Sequence, residues 1–362
     1  MRCESYGKKI KIVMFKGFMG EAGTGGGERY FISLIEMLSK KFDVKVRECF
    51  PIKFKNHRRL FSIISIPASI VCTNIETFKL LKSGHQVLSE YSSGSIYIQQ
   101  SFNQNELTLR FNLLFKYYSL IDYVSRFGKN NTRLVIYVSN FVKENYRLKK
   151  KGINEYVIYP SIIDDIPDSK YSDKEDIIVT VSRIASEKKL DKILKIMEDI
   201  PYQHYLIGFS TDLLYLEKIK TQLKKTKIIL DAPEDVKNDY LRRAKIFLNT
   251  SENEPFGLVI VEAMAYGVLP IAHNSGGPSE ILPREFLYSD EKDAEELIKK
   301  YMAEYNEKIY NEMRQRAREF TKDKVESKLY EALMKTFEIS HTTESMEGSV
   351  SQMVEDTGGA EK

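Results

Sequence analysis

Residues 251–282, SENEPFGLVIVEAMAYGVLPIAHNSGGPSEIL, constrain the fold of this chain more than any other stretch. Just before them, Lys245 to Asn249 form a short apolar run suited to a buried strand, and Thr250 to Pro255 are turn-forming. From Phe256 to Tyr266 apolar residues surround Glu262 and Ala263, which predicts a largely buried helix, and Gly267 is a natural stop for it. Leu269 to His273 read as a second strand, followed by the Gly-rich turn Ser275-Gly276-Gly277-Pro278. A strand, a loop and a helix whose free amides face the strand's carboxyl end belong to a parallel α/β sheet and make an anion site.

Two carboxylates occupy this unit. Glu254 lies in the loop before the helix and Glu262 about two turns into it, so they can face different parts of one extended ligand. Glutamate pairs at such spacing are common and carry little by themselves. An acid inside an otherwise apolar helix carries more, because burying an unpaired carboxylate is costly.

A second cluster has the same layout. Ile177 to Val181 form a β-rich run, followed by SRIASEKKLD and an amphipathic helix expected to reach about Ile200. Arg183 falls just past the strand and Lys188 at or just before the helix, where both cations can reach an anion over that edge of the sheet. A single lysine is usually only solvated surface charge; the position after a strand favours a functional role, for Arg183 above all.

At this point the chain resembles a known family. The segment 182–191 is similar to the R-x4-K signature, and 254–262 to the E-x7-E signature, of retaining glycosyltransferases with two facing Rossmann-like domains, the GT-B fold of the glycogen synthase-like group 1. GTGGGER at 23–29 resembles that family's Gly-rich loop after the first strand, and the likeness runs through most of residues 9–340 with the motifs in order. GTGGGER together with AHNSGGP most resembles the mannosyltransferases that extend dolichol-linked oligosaccharides from GDP-mannose.

The resemblance implies a division of labour. Arg183 and Lys188 would neutralise the donor diphosphate in place of a metal ion, and Glu254 would contact the transferred sugar. Glu262 would bind the ribose, and backbone amides at Phe256, Gly257 and Leu258 would complete the sugar and phosphate site. Gly25 and Gly26 would admit close approach of the N-terminal backbone, and Gly208 would open the base-binding loop. No Asp-x-Asp clamp occurs, so no metal and no cofactor beyond the nucleotide-sugar substrate is expected. Many members place a histidine at the end of an N-domain strand beside the sugar; here Gln99 or Gln100 takes that place, and glutamine cannot act as acid or base. His273 either lines the site or packs against it.

Composition agrees with two such domains. At 362 residues and 42% hydrophobic, the chain can bury two cores. Strands are expected at 9–14, 69–72, 95–99 and 133–138, with helices near 26–40, 105–125 and 140–149. The expected organisation is an acceptor-binding domain over 1–158, a nucleotide-sugar domain over 159–321, a helix over 322–340 returning to the first, and a disordered tail over 341–362. The net charge of +4 divides unevenly: residues 1–155 hold 26 Lys/Arg against 12 Asp/Glu, or +14, leaving −10 for the rest. That basic half, with cations beside aromatics at 53–61 and 110–118, predicts an anionic partner such as a lipid-linked phosphate or an anionic membrane surface. No apolar run is long enough to span a bilayer and no signal peptide is visible, so a cytoplasmic or peripheral location is expected. Three cysteines, Cys3, Cys49 and Cys72, have no metal-ligand spacing and fit a reducing compartment.

Together these features predict a retaining hexosyltransferase, with mannose as the favoured sugar and a lipid-linked or other glycan as acceptor. The alternatives are a UDP-sugar-dependent glucosyl- or N-acetylglucosaminyl-transferase on a surface polysaccharide, and a nucleotide-sugar-binding protein without transfer activity. A dinucleotide oxidoreductase is disfavoured because GTGGGER lacks the G-x-G-x-x-G spacing. Nothing resembles a base-reading module, so no nucleic-acid partner is expected.

Overall fold

Among the described residues the strands build two sheets of six, and every pairing in both is parallel. The computed structural model describes residues 11–16, 26–48, 76–89, 95–99, 131–146, 151–210 and 212–337. The first sheet has the order β2-β1-β3-β4-β5-β6, with β1 Lys11–Lys16, β2 Asp43–Glu48, β3 Gln86–Ser89, β4 Ile96–Gln99, β5 Leu134–Tyr137 and β6 Asn154–Val157. The second has the order β12-β11-β10-β7-β8-β9, with β7 Glu175–Val181, β8 Gln203–Gly208, β9 Thr226–Leu230, β10 Ala244–Asn249, β11 Leu269–His273 and β12 Leu287–Tyr288. Parallel neighbours need a crossover connection, and among the described residues helices supply many of them.

Those helices include α1 (Gly26–Ser39), α2 (Asn140–Tyr146), α3 (Lys192–Ile196), α4 (Leu213–Gln222), α5 (Glu234–Arg243) and α6 (Leu258–Ala265). Then come α7 (Pro278–Ile281), α8 (Glu291–Glu304), α9 (Glu307–Ala317) and α10 (Lys322–Phe337). Their starts are chemically marked: Asp212, Asp290 and Asn306 accept backbone N–H groups at the heads of α4, α8 and α9. Helices cover the sheets, so the inner strands read as unbroken apolar runs: all four residues of β5 are fully buried.

Each sheet has its own core. Tyr30, Phe31, Leu34, Met37 and Leu38 of α1 line one buried stripe against Ile12, Met14 and the strands β4 and β5. Into that first core the last helix also inserts Val325, Leu329, Tyr330 and Leu333. The chain thus crosses back, as expected, and the crossing is pinned by Tyr330 Oη donating to the Met37 carbonyl and by Lys322 bridging Glu36 at 2.7 Å and Asp164 at 2.9 Å.

Several expectations shift. The first strand runs on to Lys16, past the expected end at 14, while residues 9 and 10 lie outside the described residues; the helix expected to reach Ile200 is only α3, 192–196, followed by turns. The strands β2, β3 and β6 were not foreseen. Asp-Val-Lys-Val-Arg-Glu of β2 and Asn-Glu-Tyr-Val of β6 are the two edges of the first sheet, where charge blocks further pairing and hides the apolar pattern. The expected strand 69–72, the helix 105–125 and the tail 341–362 lie outside the described residues.

In both sheets the order reverses beside the first strand of the unit, and the carboxyl ends at that reversal face a crevice where ligands collect. In the second sheet the reversal lies between β7 and β10. Gly208 is fixed by this packing. A Cβ there would stand 1.8 Å from the Ser182 carbonyl oxygen, because the turns after β7 and β8 run in contact, with Ile184 N–H donating to Phe209 O at 2.8 Å. Gly208→Ala therefore forces backbone against backbone and is expected to cost about 1–3 kcal/mol. A melting temperature equal to that of wild type would contradict this packing.

Candidate active site

The loops after β7 and β10 meet at the reversal point. After β7, residues Ser186–Lys188 form a single 3-10 turn, and the Thr250 hydroxyl at the end of β10 donates to the Lys188 carbonyl at 2.9 Å. This bond sets Lys188 beside the loop that carries Glu254, and the Lys188 ammonium lies 2.6 Å from Glu254 Oε2. Both side chains are mostly buried, 22% and 18% exposed. Burial alone would raise the Glu254 carboxyl; Lys188 beside it, helped by Ser251 and Arg183, outweighs that and holds it below the usual carboxylate range. Arg183 is more open, 44% exposed, and pairs with Glu187 at 2.5 Å.

The Gly-rich turn supports the Glu254 loop from behind. Gly277 N–H donates to the Glu254 carbonyl at 2.7 Å, and Gly276, with φ of +69°, runs so close that a Cβ would stand 2.4 Å from the same oxygen. A side chain at either position would push the loop away, which is the physical reason for the paired glycines. Ser275 Oγ accepts from Asn253 N–H at 2.8 Å and lies 2.8 Å from His273 Nδ1. His273 also meets Tyr288 edge-to-face. It therefore braces the loop through Ser275, and burial depresses its ring below the ordinary histidine value.

Glu262 is the deepest group of the set. It sits in α6 among buried apolar residues, with 9% of its side chain exposed. Lys237 of α5 reaches Oε1 at 2.9 Å and Arg29 of α1 reaches the same oxygen at 2.7 Å. Glu234 joins them, 2.6 Å from Lys237 and 3.5 Å from Arg29. Burial would raise the Glu262 carboxyl, but Lys237 and Arg29 overcome it and keep it below the usual range. Arg29 comes from the first sheet's helix, so the pair crosses between the two halves. Gly26 at the head of α1 stands against Leu258 at the head of α6, since a Cβ on it would lie 3.4 Å from Leu258 Cδ1. The first amides of a helix have no partner within it, and two such ends converge here.

A clasp closes the halves a little further along. Glu280 of α7 accepts the N–H groups of Asn140 and Phe141 at 2.9 and 2.6 Å, capping α2 of the other half. It also accepts from Tyr159 Oη at 3.0 Å, and burial, with Glu280 close by, pushes that phenol up to about 12, so it stays a donor. Ser139 Oγ donates to the Pro255 carbonyl at 2.6 Å, and Tyr159 stacks on Phe256 at 5.4 Å between centroids.

The structure thus sets Lys188 on Glu254, in the loop that leads through Phe256, Gly257 and Leu258 to Glu262, with Gly26 against Leu258, Arg183 on Glu187 and Gly208 against the Ser182 carbonyl. Gln99 ends β4 with its backbone paired to Tyr137; Gly25 and Gln100 lie outside the described residues. Sequence reading gave no role to Arg29, Lys237, Glu280 or Tyr159. Arg29 was inside the GTGGGER motif, and its place in the first turn after a Gly-rich loop was the one available signal. The others become visible only when separate elements pack.

Residues 162–324 match the model of the family described as glycosyl transferases group 1. They form a group 1 glycosyltransferase domain, and the two facing Rossmann-like sheets make the chain a GT-B fold. Among curated proteins it is 26% identical over 241 residues to the GDP-Man:Man(3)GlcNAc(2)-PP-Dol alpha-1,2-mannosyltransferase of Dictyostelium discoideum, covering 57% of this chain and 47% of that protein. It is 42% identical over 76 residues to the human protein of that name, covering 19% of this chain and 15% of the other. The chain aligns with about half, or less, of the length of these relatives. Among solved structures, sucrose-phosphate synthase from Thermosynechococcus elongatus superposes with a TM-score of 0.72 at 16% identity, covering 92% of this chain and all of that one. Anabaena HepE in complex with UDP and glucose gives 0.66 at 16% identity, covering 90% of this chain and all of the other.

Two outcomes follow from the site's charges. Glu280→Ala orphans the amides at the head of α2 and is expected to cost about 2 kcal/mol, with Glu280→Gln recovering part; a melting temperature unmoved by Glu280→Ala would contradict the clasp. Because the Glu262 carboxyl is held below its ordinary value of 4.5, its stabilisation is complete above that pH and is lost as pH falls through the lowered value. Glu262→Gln should therefore be clearly less stable than wild type at neutral pH, with the gap closing in acid. Parallel denaturation curves at the two pH values would show it, and a gap that stays constant would contradict the paired, ionised state.

Proposed function

We propose that this protein is a retaining, metal-independent glycosyltransferase that moves a hexose, mannose by preference, from a nucleotide-diphosphate sugar to a lipid-linked or other glycan acceptor. The observation that carries the reading is the 2.6 Å Lys188–Glu254 pair at the carboxyl ends of β7 and β10, with the buried Glu262 about one turn into α6. Breaking an anomeric bond to a diphosphate puts negative charge on the leaving group and positive character on the sugar ring. Lys188 and Arg183, with the first amides of α6, are preorganised to stabilise the departing diphosphate, an effect worth on the order of several kcal/mol in a site closed to water. Glu254, ionised beside Lys188, would accept hydroxyls of the transferred sugar, and Glu262 those of the ribose. The acceptor would attack from the face the leaving group departs, so no protein nucleophile is assigned.

GDP-mannose is the proposed donor because GTGGGER and AHNSGGP resemble the mannosyltransferase pattern and because curated relatives carry that donor in their names. Among the described residues no helix is long and apolar enough to cross a membrane. The +14 over residues 1–155 supports peripheral attachment to an anionic surface, on the cytoplasmic face, with the glycan acceptor presented there.

The test is a thermal-shift titration with GDP-mannose, UDP-glucose, UDP-N-acetylglucosamine and the free nucleotides, with and without EDTA. Stabilisation by GDP-mannose and GDP that is indifferent to chelator is the expected result. Stabilisation by a UDP-sugar alone would favour the glucosyl or N-acetylglucosaminyl alternative, and dependence on a chelatable metal would contradict the role given to Lys188 and Arg183. Lys188→Ala and Glu254→Ala are each expected to lower transfer by at least about 100-fold while remaining folded; wild-type turnover in both would sink the assignment.

A further inference from the structure

Among the described residues, Arg29 of the N-terminal half reaches Glu262, the carboxylate read above as ribose-binding. Arg29 stands in the first turn of α1, and its guanidinium is bound at 2.7 Å to Glu262 and at 3.5 Å to Glu234, both from the second sheet's helices. Arg29 and Lys237 take the same oxygen, Oε1, so Oε2 can accept ligand hydroxyls without displacing either cation. Lys237 alone already gives Glu262 one buried partner from its own half. Arg29 is the partner that depends on how the halves meet. Arg29 adds a second charge-assisted hydrogen bond to Oε1, and the rotamer of a carboxylate anchored through one oxygen sets where its second oxygen points.

We propose that Arg29 is a donor-positioning residue contributed by the acceptor half: it orients Glu262 so that the ribose hydroxyls are held firmly only when the two halves are together. This rests on the reading of Glu262 as the ribose-binding carboxylate. It makes nucleotide affinity a reporter of closure, because opening the crevice removes Arg29 and lets the Glu262 carboxylate turn. The donor would in the same way favour closure, since a coupling of this kind is reciprocal.

The experiment is calorimetric binding of GDP, UDP and their 2′,3′-dideoxy analogues to wild type, Arg29→Gln, Arg29→Lys and Glu262→Gln, with melting temperature recorded for each. Glu262→Gln should weaken the ribonucleotide about 10-fold or more and leave the dideoxy analogue nearly unchanged. Arg29→Gln should reproduce that pattern at about 3–10-fold, with Arg29→Lys intermediate and added to Glu262→Gln costing nothing further. If Glu262→Gln binds ribonucleotide like wild type, or if wild type binds neither GDP nor UDP, the ribose reading falls and this inference with it. If Glu262→Gln discriminates but Arg29→Gln binds like wild type, or weakens ribo- and dideoxynucleotide equally, Arg29 is only a brace between the halves and the inference alone is overturned. Should Arg29→Gln fail to fold, the Arg29→Lys ratio of ribo- to dideoxynucleotide affinity decides by the same criterion.

Discussion

A carboxylate buried in an apolar helix can exist only if cations come to it, and the arrangement around Glu262 follows from that requirement. Lys237 is drawn from α5 and Arg29 from α1, and both end on one oxygen. Without them the group would take up a proton or the helix would shift, because an isolated buried charge costs several kcal/mol. The pairing therefore fixes α6 against α5 within one half and against α1 of the other. From α6 the remaining geometry is short-range: its head carries Gly257 and Leu258, the loop before it carries Glu254, and Lys188 closes on Glu254. A single compensated charge thus aligns the parts that would act on a donor.

The two halves meet through polar contacts of high specificity rather than through a broad apolar face. The glycosyltransferase domain offers carboxylates, Glu262 and Glu280, and the first half answers with Arg29 and with the backbone amides that head α2. Around them lies a small aromatic cluster, Tyr159 on Phe256 and Phe320. Among the described residues, apolar burial between the halves comes from α10, a strap inserted into the first core, and from Leu258 and Ile162, which also pack against that core. An interface made of a few charge-assisted bonds near the ligand crevice and a strap far along the chain suits a protein whose halves must meet around a substrate.

Sequence was most informative where one element carries its own chemistry. The strand β10, the loop with Glu254, the helix with Glu262 and the strand β11 could be laid out from periodicity and turn residues alone, because an inner parallel strand is a continuous apolar run and Gly267 ends the helix. The edge strands β2 and β6 were hidden for the opposite reason: exposed polar residues, Lys45 and Arg47 in β2 and Asn154 in β6, break the pattern. Lys237 was invisible as well, since on sequence it is one of many charged residues in Glu234–Arg243 and only packing shows it buried. His273, left open between lining the site and packing against it, meets Ser275 through its Nδ1, a contact that the sequence does not announce. The Gly208 requirement could be suspected from its place after a strand, but its cause, the Ser182 carbonyl, lies on a different strand's turn.

The most direct test of the central claim is a crystal structure of the protein with GDP bound, or with UDP if that is the nucleotide it takes. The account predicts ribose hydroxyls on Glu262, the diphosphate between Lys188, Arg183 and the head of α6, and Arg29 still paired to Glu262 across the closed crevice. A nucleotide seated elsewhere, or one whose ribose ignores Glu262 while its phosphates leave Lys188 on Glu254, would contradict it.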